Sequence, residues 1–180
     1  MKYNRIGYFD EEFEELSVDE ICKRIYVDRK DVDEIVKKTK FEVEGAVAYL
    51  GSKRVFRIGK ESEVGFTVAE LIMMNKNIHS HSKSKSFSTD DVVIAIKHKI
   101  KHIVAFNDEY FYSLKFDRFD FDFDKMFLSA FNKYDKILQD KVQRGEIVAD
   151  QKDFVINHKI WKDIFEKIEG ARYDYFRVRR

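Results

Sequence analysis

The sequence predicts an α+β fold, a mixed sheet flanked by helices, and three observations carry that expectation. Residues 43–58 and 103–115 fall into short, β-rich runs joined by turn residues. The stretches on either side repeat apolar residues at helical spacing. Between them, a strand-like run ending in His79-Ser80-His81 precedes a helix start and a further strand run, the order of a βαβ unit.

Residues 1–40 read as a helical segment that packs on the core. Ser17-x-x-Glu20 is a capping box ahead of Ile21, Cys22 and Ile25. A second helix fits from Asp28 or Arg29 to Lys38, with Val32, Ile35 and Val36 inward. The pair would cover the sheet or serve as a partner-binding arm. Residues 41–116 form the expected core. Runs 43–50 and 54–58 make a hairpin about Gly51-Ser52-Lys53, and 64–68 alternates weakly as a third strand. Residues 69–74 fit a short helix or more strand. The run 77–81 is the next strand, 89–101 a helix with Val92, Ala95, Ile96 and Ile100 on one stripe, and 103–106 the strand after it. Those two strands should be parallel, with a right-handed crossover. Strand 110–115 returns after the Asn107-Asp108-Glu109 turn.

Residues 117–180 read as a C-terminal helical extension. Phe116, Phe119, Phe121 and Phe123 suit an edge strand or a linker. A helix over 124–144 stops at Gly145, and another over 153–169 stops before Gly170. Phe154, Ile160, Trp161, Ile164, Phe165 and Ile168 are its packing residues. Residues 173–178 make a final strand or a docking tail.

Composition narrows the function classes. A length of 180 residues fits one domain, or one core with helical additions. The 34 basic and 33 acidic residues nearly cancel, so no global field favours nucleic acid or a membrane surface. A single cysteine, Cys22, rules out an internal disulfide, disfavours a cysteine-based zinc site and suits a cytoplasmic location. Residues 1–20 are too polar for a signal peptide, and no apolar run approaches the roughly 18 residues of a membrane span. With no proline in the chain, every turn relies on Gly, Asn, Asp or Ser.

The chemistry concentrates at His79-Ser80-His81 and Ser88-Thr89-Asp90-Asp91. On a strand, residues 79 and 81 project from one face, so both imidazoles can reach one ion. The first turn of the following helix can present Asp91 to it. Two His and one Asp leave the fourth position of a tetrahedral zinc open, the pattern of a catalytic site. The plain alternative is a solvated histidine pair beside an ordinary helix cap, with Asp91 in place of the usual Glu.

The run from His79 to Asp91 resembles the JAB/MPN+ (JAMM) metalloprotease signature, H-x-H, a spacer, then S-x-x-D. The family also uses an upstream glutamate in a Glu-x-x-Gly context, and Glu42-Val43-Glu44-Gly45 is similar to that element. The likeness covers roughly residues 41–115. Ser82 stands where the family usually has Pro, and the spacer of six residues ending in Phe87 is closer to the bacterial and bacteriophage branch. The resemblance implies a JAB/MPN-like core, Zn2+ on His79, His81 and Asp91, and metal-activated water cleaving a peptide or isopeptide bond. It implies Glu42 as the catalytic proton carrier, by glycine register, and Ser88 as a catalytic oxyanion stabiliser. Strand alternation leaves Glu44 open as the alternative base, since positions 42 and 44 would share a face. A peptide or protein is the expected substrate. The rivals are a non-catalytic binding module of this fold in a bacteriophage or bacterial protein, and a metal-dependent nuclease.

Four other candidates have plain readings. His98 and His102 lie four apart, but among Lys97, Lys99 and Lys101 they suit a solvated helix face. His158 sits alone in an amphipathic helix as a structural or surface residue. Cys22 lacks a nucleophile context and reads as core. The basic run Ser82-Lys83-Ser84-Lys85-Ser86 is a substrate-contacting flap or a plain soluble loop.

Overall fold

The computed structural model describes residues 13–60, 63–81, 86–146 and 149–179. Its elements run β1 (Glu14–Leu16), α1 (Val18–Ile25), α2 (Arg29–Thr39), β2 (Gly45–Leu50), β3 (Lys53–Ile58), α3 (Val68–Met73) and β4 (Met74–Ser80). They continue α4 (Thr89–Lys97), β5 (His102–Phe106), β6 (Tyr110–Phe116), α5 (Phe123–Gln143), α6 (Ala149–Phe165) and β7 (Ala171–Val178). The seven strands make one mixed sheet in the order β1-β7-β6-β5-β4-β2-β3, and with the helices this is an α+β fold. β4 and β5 pair in parallel, as the βαβ reading expects, while β2, β3 and β6 enter antiparallel.

Alternation along the strands divides the core in two. Val47, Ile78, Val104, Phe106 and Phe111 pack with Ile21, Ile25, Val32 and Ile35 of α1 and α2. Ala48, Ile103, Ala105, Tyr112 and Leu114 face the other way, toward Val92 of α4, Leu138 of α5 and Trp161 of α6. The buried area on both faces supplies the main driving force for this layering. Ile160, Trp161, Ile164 and Phe165 are fully enclosed and Ile168 nearly so, as their packing role requires. The side chain of Phe154 lies outside the described residues, as does the run Ser82 to Lys85.

Local signals explain most boundaries. The Ser17/Glu20 capping box is formed, and Tyr26 closes α1 in the left-handed region at φ 59°. Gly51, at φ 62°, turns the β2–β3 hairpin. Asn107 Oδ1 accepts from the N–H groups of Glu109 and Tyr110, which ties the β5–β6 turn.

Several expectations need correction. Residues 64–67 form no strand, because Thr67 and Glu70 close a second capping box that starts α3. Helix α4 ends at Lys97 rather than Lys101: Lys99 turns left-handed at φ 56°, and Ile100 donates back to the Ala95 carbonyl at 2.8 Å. Of the two readings of the Phe116–Phe123 stretch the linker holds: residues 117–122 form no strand, and Phe119 and Phe121 pack their rings against Phe116. The terminal stretches add strands as well as helices. β7 lies inside the sheet between β6 and β1, and β1 pairs with it in parallel. Helix α6 starts earlier and stops earlier than expected, at Ala149 and Phe165.

His102 is the largest correction. It lies on β5, buried, with Nε2 at 3.0 Å from Ser113 Oγ, and it shares no solvated helix face with His98. Burial, then the charges of Lys76 and Lys115, push its pKa from 6.5 down to about 3. The folded chain therefore keeps this ring neutral where the unfolded chain protonates it. Its contribution to stability is complete above pH 6.5 and is lost as pH falls from 6.5 toward 3. Across that window the loss is at most about 1.4 kcal/mol per pH unit. Urea titrations of wild type and His102→Asn should show a shallower acid limb in the variant. Parallel limbs would mean the ring does not stay neutral.

Candidate metal centre

The site grows from the carboxyl end of β4. Asn77 and His79 point to the face that carries α4, and His81 continues the same alternation one residue past the strand. Ala46 and Ala105, both fully buried, are the cross-strand neighbours of His79, so small side chains leave room for its ring. The His81 N–H donates to the Phe106 carbonyl at 2.8 Å and extends the β4–β5 ladder by one more bond.

The third residue comes from the first turn of α4. Ser88 is its N-cap: Oγ accepts from the Asp91 N–H at 3.1 Å. The Ser88 N–H and hydroxyl both donate to Asp91 Oδ2, at 2.8 and 2.7 Å. The box thus caps the helix and also fixes the carboxylate, which the helix N-terminus favours electrostatically. Phe87 precedes the cap as a fully buried ring, and its carbonyl accepts from Trp161 Nε1 at 2.8 Å. Helix α6 therefore holds the start of α4 against the sheet.

Together these elements bring His79, His81 and Asp91 into one group able to hold a metal ion. The two Nε2 atoms are 3.1 Å apart, His79 Nε2 lies 3.5 Å from Asp91 Oδ1, and His81 Nε2 lies 3.6 Å from Oδ2. Tetrahedral zinc with bonds of about 2.0–2.1 Å spaces its ligands by roughly 3.3 Å, close to all three values. Both rings are buried. Asn77 Oδ1 accepts from His79 Nδ1 at 2.8 Å, which directs the lone pair of His79 to Nε2 and toward the other two groups. Asp91 is held well below the usual carboxylate range; burial opposes its charge, but His79 and then His81 outweigh that penalty.

The two glutamates part company. Glu44 immediately precedes β2, is half-buried, and lines a cleft of about 530 Å³ with His79, Ser88 and Asp91. Its N–H donates to the Lys60 carbonyl at 2.9 Å and its carbonyl accepts from Gly59 at 2.8 Å, so its backbone is clamped. Burial raises its pKa, against lowering by His81 and His79. Glu42 is exposed in the turn after α2, where Lys40 and Phe41 adopt positive φ of 49° and 61°, and it is not among the described residues lining the cleft. Neither glutamate lies on the strand that both were expected to share.

The other described candidates are not among the residues lining the cleft. His158 is enclosed, with Nδ1 2.9 Å from the Tyr173 hydroxyl. Cys22 is core, and burial pushes its thiol up to about 11, far from a reactive thiolate. Of the basic loop, only Ser86 is described, and it is buried. Two contributors went unread in the sequence. Asn77 could have been found by extending the alternation of 79 and 81 back two residues, whereas nothing local marks Trp161 as the anchor of residue 87.

Zinc titration should give about one equivalent bound, reversed by a chelator. His79→Ala, His81→Ala and Asp91→Asn should each abolish tight binding, and His98→Ala should not. Asn77→Ala, which only orients a ligand, should weaken affinity by about 10–100-fold. Unchanged affinity in the first three variants would move the ion elsewhere.

Comparison with protein-family models, with curated proteins and with solved structures finds no match to this chain. The case for its function therefore rests on the residues just described.

Proposed function

We propose that the chain is a metal-dependent hydrolase of JAB/MPN+ (JAMM) type, cleaving a peptide or isopeptide bond with zinc held by His79, His81 and Asp91. The observation that carries this reading is the grouping of those three residues beside a cleft that His79 and Asp91 line together with Ser88 and Glu44. The fit to zinc is chemical as well as spatial, since two imidazoles and one carboxylate match its preferred donors. Zinc bound there supplies Lewis-acid polarisation of the scissile carbonyl and activation of water.

The protein groups divide the remaining work. Glu44 takes a proton from the attacking water and returns it to the leaving nitrogen, a role suited by its raised pKa and clamped backbone. Asn77 keeps the His79 ring in the required tautomer. Ser88 holds Asp91 through two donated hydrogen bonds, and turning its hydroxyl proton into the cleft would let it stabilise a developing oxyanion.

Charge argues against the nuclease rival. The described lining carries Glu44, Glu63, Asp90 and Asp91 and no lysine or arginine, which repels phosphodiesters. A binding module of the same fold would hold zinc and ligand without turnover.

A peptide pool incubated with the zinc-loaded chain should yield new termini by mass spectrometry, lost on chelation and restored by zinc. Glu44→Gln should retain metal and melting temperature while slowing cleavage by at least about a hundredfold. Glu42→Gln should stay near wild type. Full activity in Glu44→Gln with loss in Glu42→Gln would return the role to residue 42. A chain that binds zinc yet yields no termini is the binding module.

A further inference from the structure

The cleft has two chemically distinct ends. Glu44, His79, Ser88 and Asp91 make the polar end. Phe66, Leu71, Met74, Ile94, Ile100 and Ile103 make the other, from α3, β4, α4, β5 and the segments leading into α3 and β5. Met74, Ile100 and Ile103 are almost completely buried and give it a fixed floor. The two helices that supply Leu71 and Ile94 carry further exposed apolar side chains. Val68, one turn before Leu71, is 66% exposed, Ile72 is 68% exposed, and Val93 and Ile94 are each 38% exposed. A six-residue helix whose apolar side chains are left in water is costly to keep solvated, and it adjoins the reacting groups.

Resting on the hydrolase reading above, we infer that this apolar end is the substrate-selecting compartment and that it takes a bulky aliphatic or aromatic side chain next to the scissile bond. The substrate is a polypeptide segment, and its other apolar residues lie along the α3 and α4 rim. The whole cleft, polar and apolar ends together, has a volume of about 530 Å³ and accommodates one large side chain with the backbone carrying it. Burying that side chain gives binding energy remote from the reacting atoms, which can hold the carbonyl against the polar end. The acidic groups set a second rule. Glu63 and Asp90 add negative charge to the lining beyond that of Glu44 and Asp91, so an acidic residue beside the scissile bond is disfavoured.

The test separates selection from turnover. Acetylated hexapeptides with Leu, Phe, Ala, Gly or Asp at one central position are titrated into zinc-loaded Glu44→Gln, and their affinities are read calorimetrically. The Leu and Phe peptides should bind at least about tenfold tighter than the Ala peptide, and the Asp peptide weakest, the scale expected from filling an apolar pocket. Ile94→Ser and Leu71→Ser, made in the same background, should erase most of that difference while still holding one zinc. A folded, zinc-loaded protein that binds all five peptides equally, or prefers Gly, overturns the compartment. So does a Leu preference that survives both serine variants. Wild type that shows the binding preference but cleaves none of the peptides overturns the hydrolase reading and leaves the compartment standing.

Discussion

Parallel pairing of β4 with β5 is the constraint on which the site depends. Parallel neighbours cannot be joined by a tight hairpin, so the chain leaving Ser80 must cross a face of the sheet before it re-enters at His102. That crossing is α4, and its first turn starts close to where β4 ends. Two positions of opposite character therefore meet without long-range search: histidines alternating out of a strand end, and a carboxylate on the positive end of a helix. The Phe87 carbonyl on Trp161 then locks the approach to α4. With that approach fixed, Asp91 faces the imidazoles rather than solvent.

The other buried histidines show why this group differs from ordinary polar burial. His102 faces a serine hydroxyl and His158 a tyrosine hydroxyl, neutral partners that can satisfy a neutral ring. His79 and His81 instead turn Nε2 toward Nε2 at 3.1 Å with a carboxylate alongside. Two imidazole lone pairs at that separation repel unless a proton or a cation lies between them. The network about them supplies outer support of the sort that metal ligands have, an amide on Nδ1 of His79 and two donors on Asp91 Oδ2.

Much of this was legible in the residues themselves. Period-two spacing sets His79 and His81 on one side, and Ser-x-x-Asp marks a helix start whose third residue looks back at the cap; both depend only on neighbours a few positions away. The position of Glu44 at the cleft was not legible, because it depends on the turn between α2 and β2. Lys40 and Phe41, neither of them glycine, adopt positive φ, and the strand begins only at Gly45, so alternation does not extend back to Glu42. Val64 to Val68 misled for a similar reason. Its weak alternation competed with the Thr67-x-x-Glu70 box, and the box prevailed. The strand Glu14 to Leu16 carries two glutamates and no strand signal, and it forms because β7, some 160 residues away, offers an edge with Arg177 beside Glu15.

The same turn ties the N-terminal helices to the cleft. A side chain at position 45 would place its Cβ 2.5 Å from Thr39 Cγ2 and 3.3 Å from Ile35 Cγ2, so only glycine lets β2 start against the last turn of α2. Thr39 is itself held there, its hydroxyl donating to the Ile35 carbonyl at 2.9 Å. The Gly45 N–H donates to Ser80 Oγ at 3.1 Å, on the residue between the two histidines. Glu44 is therefore bracketed by contacts to α2 and β4 on one side and to Lys60 and Gly59 on the other. Helix α2 does more than cover the sheet: its last turn helps set where Glu44 stands relative to His79, His81 and Asp91. Glu44 and the His79, His81 and Asp91 group are thus placed by different elements, the α2–β2 turn for the one and the end of β4 with the first turn of α4 for the other, joined through the Gly45–Ser80 hydrogen bond.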